Sequence, residues 1–454
     1  MPPTSARLSL PQLTDLVASG AIDTVVVVIT DMQGRLQGKR FDARHFLDDV
    51  VAHGAEGCSY LLAVDVDMHT VPGYALSSWE TGYGDFTLRP DLSTLRHLPW
   101  QPSSAVCHAD VRRESGEPVE PSPRRILQRQ LERLAGRGWT ALGATELEFL
   151  VFEDTYEAAI DSGYHQLTPA NRYNVDYSIL GTSRVEPLLG RIRREMTAAG
   201  MRVESVKGEC NLGQHEIAFR YSDLLAKADE HALFKTGAKE IAAQEGCSIT
   251  FMAKYDAREG NSCHVHLSLR DGDDRPVFSG DDRHGMSALF DHFLAGLLAS
   301  VADLTLLLAP NVNSYKRFAP GSFAPTAIAW GRDNRTCAFR VVGHGPSLRV
   351  ECRVPGGDMN PYLGLAALVA AGLHGVEHEL ALEDELVGNA YASDAPRLPS
   401  TLREAMTRFE ASPVARAGFG DEVVDHYVNL ARVELAAFEG AVTDWERLRC
   451  FERM

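Results

Sequence analysis

The sequence predicts an α+β protein, a small β-rich unit followed by a larger unit that mixes helices and strands. Three observations lead there. Short strand-like runs broken by turn residues fill the chain up to Trp100; a polar, Pro-rich stretch interrupts it at residues 112–123; beyond that, helical periodicities alternate with strands of alternating character. A chain of 454 residues also exceeds one small core, and ordinary domain sizes allow roughly two to four domains.

The first element is a hairpin. "IDTVVVVITDMQGRLQGKRF" (Ile22–Phe41) reads as strand, turn at Asp31–Gly34, strand. Further short strands run to "DLSTLRHLPW" (Asp91–Trp100), and the division between units is placed after it, giving residues 1–103 and 104–454. In "SPRRILQRQLERLAGRG", Ser122 supplies a cap and Pro123 suits a first helical turn, so a helix runs to Gly136 or Gly138. A second helix covers "SDLLAKADEHALFKTGAKEIAAQEG", with Ser222 as cap and Gly246 as stop.

The net charge of −17 argues against nucleic acid or an anionic membrane as main partner. The first twenty residues lack a basic segment followed by an apolar one, and no later run reads as a membrane span, so a cytoplasmic protein is expected. The eight cysteines are scattered without a C-x-x-C pair and read as reduced thiols.

Four segments of the larger unit gather polar groups on one face. "TELEF" places Glu146 and Glu148 together, since alternate residues of a strand point the same way. "CHVHLSL" does so for His264, His266 and Ser268, and "LRVECRVP" for Arg349, Glu351 and Arg353. "GECNLGQHEIAFR" sets Glu209 before a turn and Glu216 at the next strand. Any one of these read alone is most simply a half-solvated strand. Together they supply five glutamates and a histidine, a donor set that suits Mg²⁺ or Mn²⁺ better than zinc. Interleaved arginines suit anionic groups, and metal with arginine suggests phosphoryl transfer. The sequence holds no Walker A or G-x-G-x-x-G loop to cradle a nucleotide.

"GATELEFLVFE", "GECNLGQHE", "TFMAKYDAREGNSCHVHLSL", "NSYKRFAPGSFAP", "WGRDNRTCAFR" and "RVECRVPGGDMNPYLGLAALVAAGL" resemble, in order, the signature blocks of the glutamine synthetase superfamily. The resemblance implies an N-terminal β-grasp domain and a catalytic α/β domain whose curved antiparallel sheet lines the active site. It implies a homo-oligomer, a double-ring dodecamer with sites between subunits. It also implies ATP as co-substrate and two or more divalent ions: Glu148, Glu209 and Glu216 around one, Glu146, His264 and Glu351 around the second. Glu204, His266 and Ser268 would lie against ATP, with Arg335, Arg340 and Arg349 at its phosphates and the transferring phosphoryl group. Glutamate would meet Arg317, Arg335, Arg353 and the backbone at Glu259 and Gly260.

Two departures bear on the nitrogen donor. The flap block "PGSFAP" carries Phe323 where ammonia-using members have a glutamate, and the F-D-G-S-S block is replaced by "LLAVDVDMHTVPGYALSSWETGYGDF". Pro346 stands where a lysine near the phosphates is common. A phenyl ring accepts no proton but packs against a carbon chain, so the resemblance narrows to the γ-glutamyl-amine ligases. Ethanolamine is the favoured acceptor, with a polyamine or ammonia as the alternatives. Asp65, Asp67 and Glu80 could serve a dication, and Glu259 and Asp65 are candidates for the base.

Overall fold

The computed structural model describes residues 7–281 and 283–454; residues 1–6 of the opening segment lie outside the described residues. The hairpin forms as the sequence predicts. Thr24–Thr30 (β1) and Leu36–Asp42 (β2) pair antiparallel, Thr24 opposite Asp42 and Thr30 opposite Leu36. The Asp31 carboxylate accepts from the backbone N–H of Gln33 and Arg35, and Gly34 takes φ 81°, a conformation that favours glycine.

Ala55–Cys58 (β3), Asp85–Pro90 (β4), Arg96–His97 (β5) and Ser104–Arg112 (β6) complete a six-stranded sheet in the order β2-β1-β6-β4-β3, with β5 also on β6. β6 is parallel to β1 and antiparallel to β4 and β5. It begins at the expected division, residue 104, yet belongs to the first sheet. Its run of buried residues shows little alternation because both faces are covered.

The second sheet contains Thr140–Phe152 (β7), Val203–Gly208 (β8), Gln214–Phe219 (β9), Ser222–Asp223 (β10), Ser248–Thr250 (β11), Cys263–Arg270 (β12), Trp330–Arg332 (β13), Phe339–Val342 (β14) and Arg349–Cys352 (β15). Its order is β13-β14-β15-β12-β7-β9-β8, with β10 and β11 also on β7. Every pairing is antiparallel except β13 with β14. On the face away from the carboxylates, Phe149 meets Phe251 and Phe234 at centroid distances of 5.6 and 6.3 Å, and Phe234 rides on the helix Leu224–Gln244. All eight thiols are free, and Cys107, Cys263, Cys337 and Cys352 are buried.

Three expectations need correction. The first helix spans Pro123–Ala135 between Ser122 and Gly136, but the Ser122 side chain makes no capping bond. The second has Asp223, not Ser222, at its N-cap, because Ser222 and Asp223 are held extended by pairing with Gly143 and Leu142. Finally, Ala288–Leu308 is long and apolar enough by length and composition to cross a membrane, although no run was expected to be. A helix apolar all round also suits a protein core, and most of this one is buried, packed against the helix Pro361–Glu377.

A buried ion network joins the two sheets' surroundings. Arg124 donates to both oxygens of Asp229 at 3.1 Å, to Asp110 at 2.5 Å and to Asp91 at 2.7 Å, and the Tyr362 hydroxyl donates to Asp229 at 2.6 Å. Truncating Arg124 leaves the buried Asp229 carboxylate without its cation. Arg124→Ala is therefore expected to destabilise the protein by about 3–5 kcal/mol, read as a lowered denaturation midpoint.

Candidate active site

Strand register assembles the site. Glu146 of β7 lies opposite His264 of β12, and Glu148 opposite Glu216 of β9. Glu351 of β15 lies opposite His266 on one side and Arg340 of β14 on the other, while Lys207 of β8 faces Glu216. Directly paired residues share a face, so six strands place acids, imidazoles and two cations in one band. Glu146 and Glu148 thus look toward different partners.

The first cluster is acidic. Ligand atoms of Glu148, Glu209 and Glu216 lie within 4.8 Å of one another. Glu148 Oε2 accepts from the backbone N–H of Ser262 at 2.8 Å and from Gln214 Nε2 at 3.1 Å, which orients the carboxylate. Burial, then the nearby Glu209, pushes Glu148 well above the carboxylate range. Burial, then Glu146 and Glu148, pushes Glu216 up to about 9. Lys207 offers partial relief through an ion pair with Glu209 and another with Asp176 at 3.4 Å.

The second cluster mixes charge. His264 Nδ1 lies 3.6 Å from Glu146 Oε2 and 3.6 Å from Glu351 Oε1. Burial, then Arg353, pushes His264 down to about 4, so its imidazole is neutral near pH 7 and free to act as a ligand. Arg353 pairs with Glu351 Oε1 at 2.5 Å and Arg340 with Oε2 at 2.8 Å. Burial opposes ionisation of Glu351, but His264 and Arg353 outweigh it and hold the group down at about 2. Glu146 also reaches Glu216 and His264, within 4.8 Å, so the clusters share members.

Glu148, Glu209 and Glu216 gather closely enough for one divalent cation, and Glu146 does so either with His266 and Glu351 or with Glu216 and His264, so the expected trio Glu146, His264 and Glu351 is divided between these last two groups. They offer hard oxygens plus one imidazole, the first cluster has too little positive charge of its own, and His264 Nε2 is buried without a partner. Carboxyls held above the ordinary 4.5 make the metal-free fold bind more protons than the unfolded chain, so these groups subtract stability as pH rises from 4.5 toward 9. A cation takes the ionised form and restores it. Mg²⁺ or Mn²⁺ is expected to raise the melting temperature, by about 2.7 kcal/mol of stabilisation at a hundred times Kd, and to release protons on binding, measurable by calorimetry in two buffers.

Beside the clusters lies a cavity of about 470 Å³ lined by Glu146, Glu204, His266, Ser268 and Arg349, with Pro346 in its wall. Four of the six residues expected at the nucleotide are therefore together. Arg340 instead bonds Glu351 and Asp333, and Arg335 is exposed outside this lining. His266 bridges cavity and cluster, 2.9 Å from Glu146 Oε1 and 3.2 Å from Arg349 Nε.

Of the residues expected at glutamate, Arg353 pairs with Glu351, Arg317 lies close enough to Glu148 to act on its charge, and Gly260 is linked to Glu148 through Gln214, whereas Arg335 is exposed. Arg317 is buried and donates through Nη2 to the carbonyls of Arg353, Val354 and Pro355, leaving Nη1 without a partner; Arg353 Nε is also buried and unpartnered. Gly260 leaves room for Arg317, because a Cβ there would fall 2.1 Å from the Ala253 carbonyl and 2.9 Å from Arg317 Cγ. The carbonyls of Glu259 and Gly260 accept from Asn211 at 2.7 Å and Gln214 at 2.9 Å. Phe323 is 55% exposed at φ 58°, its carbonyl 3.5 Å from Arg353 Nη2. Asp65 and Asp67 form a separate group with His69, and Asp65 lines a small cleft with Glu434. Glu80 is exposed.

Sequence reasoning missed Lys207, Asn211 and Gln214. Lys207 alternates with Glu209 and could have been found by the same period-two reading. Asn211 and Gln214 sit around a turn, where alternation carries no signal.

The glutamine synthetase catalytic-domain family matches residues 120–450. The chain is 64% identical over 447 residues to a gamma-glutamylethanolamide synthetase of Streptomyces coelicolor, covering 98% of this chain and 96% of that protein. It is 36% identical over 444 residues to a glutamate–isopropylamine ligase of a Pseudomonas species, covering 96% and 97%. A solved GmaS/ADP complex has a TM-score of 0.86 at 30% identity, covering 97% of this chain and 99% of that one. With a family match over most of its length and relatives aligned nearly end to end, the chain belongs to the glutamine synthetase family and is an ATP-dependent ligase.

Proposed function

We propose that the chain joins the γ-carboxylate of L-glutamate to ethanolamine, with ATP converted to ADP and phosphate. The 64% identity to a gamma-glutamylethanolamide synthetase supports the acceptor. The observation that carries the reading is Phe323, an exposed ring on a segment held from behind by Arg353, where a carboxylate for ammonium is lacking.

A free carboxylate is too poor an electrophile for an amine. A γ-carboxylate oxygen of glutamate therefore bonds to the γ-phosphorus of ATP as the bond to ADP breaks. The amine lone pair then attacks the γ-carbon, the C–O bond to phosphate breaks, and the amine loses a proton. Arg317 and Arg353, each with an open buried donor, orient the carboxylates of glutamate, and Arg335, Arg340 and Arg349 take phosphate charge. Glu204, His266 and Ser268 line the nucleotide cavity. Glu148, Glu209 and Glu216 would hold one Mg²⁺ or Mn²⁺ and Glu146, His264 and Glu351 another; the ions supply charge stabilisation for phosphoryl transfer.

The unit boundary in this reading falls in the loop 113–122, after β6, and the protein is a cytoplasmic double-ring dodecamer with sites between subunits. A phosphate-release screen over ethanolamine, other monoamines, putrescine, spermidine and ammonium tests the acceptor. Ethanolamine should give the highest kcat/KM; a higher value for a polyamine or ammonium would replace it with that acceptor.

A further inference from the structure

Two side chains hold the successive backbone carbonyls of Phe323 and Ala324. Arg353 Nη2 reaches the Phe323 carbonyl at 3.5 Å, a long contact, whereas the Tyr391 hydroxyl donates to the Ala324 carbonyl at 3.0 Å. Arg353 is also committed to Glu351 and, in the proposed reaction, to glutamate. Tyr391 has no such competing duty.

Tyr391 is itself rigidly mounted. Its backbone N–H donates to the Asn389 side chain at 3.0 Å, and Arg397 donates to the carbonyls of Ala390 at 3.3 Å, Tyr391 at 3.3 Å and Ser393 at 2.5 Å. The segment is fastened alongside the extended stretch that leaves the flap, Ile328 N–H to the Pro396 carbonyl at 2.7 Å and Leu398 N–H to the Thr326 carbonyl at 3.1 Å. Ala390 packs in a small apolar cluster with Ala327, Ala329 and Cys337. Burial raises the Tyr391 phenol, so at neutral pH it is a donor. The flap residue, by contrast, is exposed and sits at a positive φ that a bulky side chain rarely adopts. The ring's position thus depends on external tethers.

We propose that Tyr391 is a positioning residue that latches the Phe323 flap, so that the activated γ-glutamyl phosphate meets the amine rather than water. This rests on the proposed acceptor reading. With the latch intact, the amine nitrogen attacks the acyl carbon and phosphate leaves. With it loose, a water oxygen attacks the same carbon, phosphate leaves, and glutamate is regenerated with loss of a proton, so ATP is hydrolysed without amide.

Tyr391→Phe removes one hydroxyl and keeps the ring. We expect KM for the amine and the ratio of phosphate to γ-glutamylamide each to rise about 3- to 10-fold, the size that one hydrogen bond carries. KM for glutamate and ATP and the melting temperature should hold. Repeating the substitution in Phe323→Ala should give little further change, because the latch acts through that ring. Unchanged coupling and amine KM in Tyr391→Phe, with the wild type still making γ-glutamylamide, overturns the latch alone. Equal effects in both backgrounds also overturn it. A wild type that makes no amide from any amine overturns the acceptor reading and the latch with it.

Discussion

Glu148→Gln is expected to reduce kcat by about 10³-fold or more with every acceptor, since it strips charge from a site that stabilises phosphoryl transfer. The substitution is chosen for what it retains. The amide oxygen can still accept from the backbone N–H of Ser262, which Glu148 Oε2 does at 2.8 Å. The metal-free variant should be at least as stable as wild type, because a buried carboxylate repelled by Glu209 has gone. Its stabilisation by Mg²⁺ or Mn²⁺ should shrink. A variant that loses stability but keeps the full metal response would show that Glu148 serves the fold rather than the ion.

Phe323→Glu is expected to raise kcat/KM for ammonium relative to ethanolamine by about 10- to 100-fold. The change removes apolar contact with the acceptor's carbon atoms, and contacts of that kind distinguish substrates by about 1–3 kcal/mol. It also supplies a carboxylate that pairs with ammonium. Because Phe323 is exposed, the fold should tolerate the change. Competition assays with both acceptors present read the ratio directly. An unaltered ratio means that the flap does not face the acceptor.

Much of the site was legible because strand alternation is a local property. Glu146 with Glu148, His264 with His266, and Glu351 with Arg353 share faces by spacing alone, and the register then brought them together. Which strands neighbour one another is a long-range fact, so the gathering of Glu148, Glu209 and Glu216 was implied by family resemblance rather than by periodicity, and the register that sets Glu148 opposite Glu216 is seen only in the structure. Gln214, Asn211 and Tyr391 act through bonds to backbone carbonyls in distant segments, and such contacts leave no pattern in sequence. The expected division falls just before β6, whose parallel pairing with β1 of the first sheet spans many residues and so leaves no local signal. Arg335 and Arg340 were expected at the phosphates, yet in the single chain one is exposed and the other pairs with Glu351.

Everything above turns on a site that activates glutamate for an organic amine. The most direct measurement is mass analysis of the products when the purified protein turns over glutamate and ATP with Mg²⁺ and equimolar ethanolamine and ammonium. γ-Glutamylethanolamide is expected in excess, with ADP and phosphate formed in equal amount. Glutamine as the dominant product, or ATP consumed with no amide formed, would contradict it.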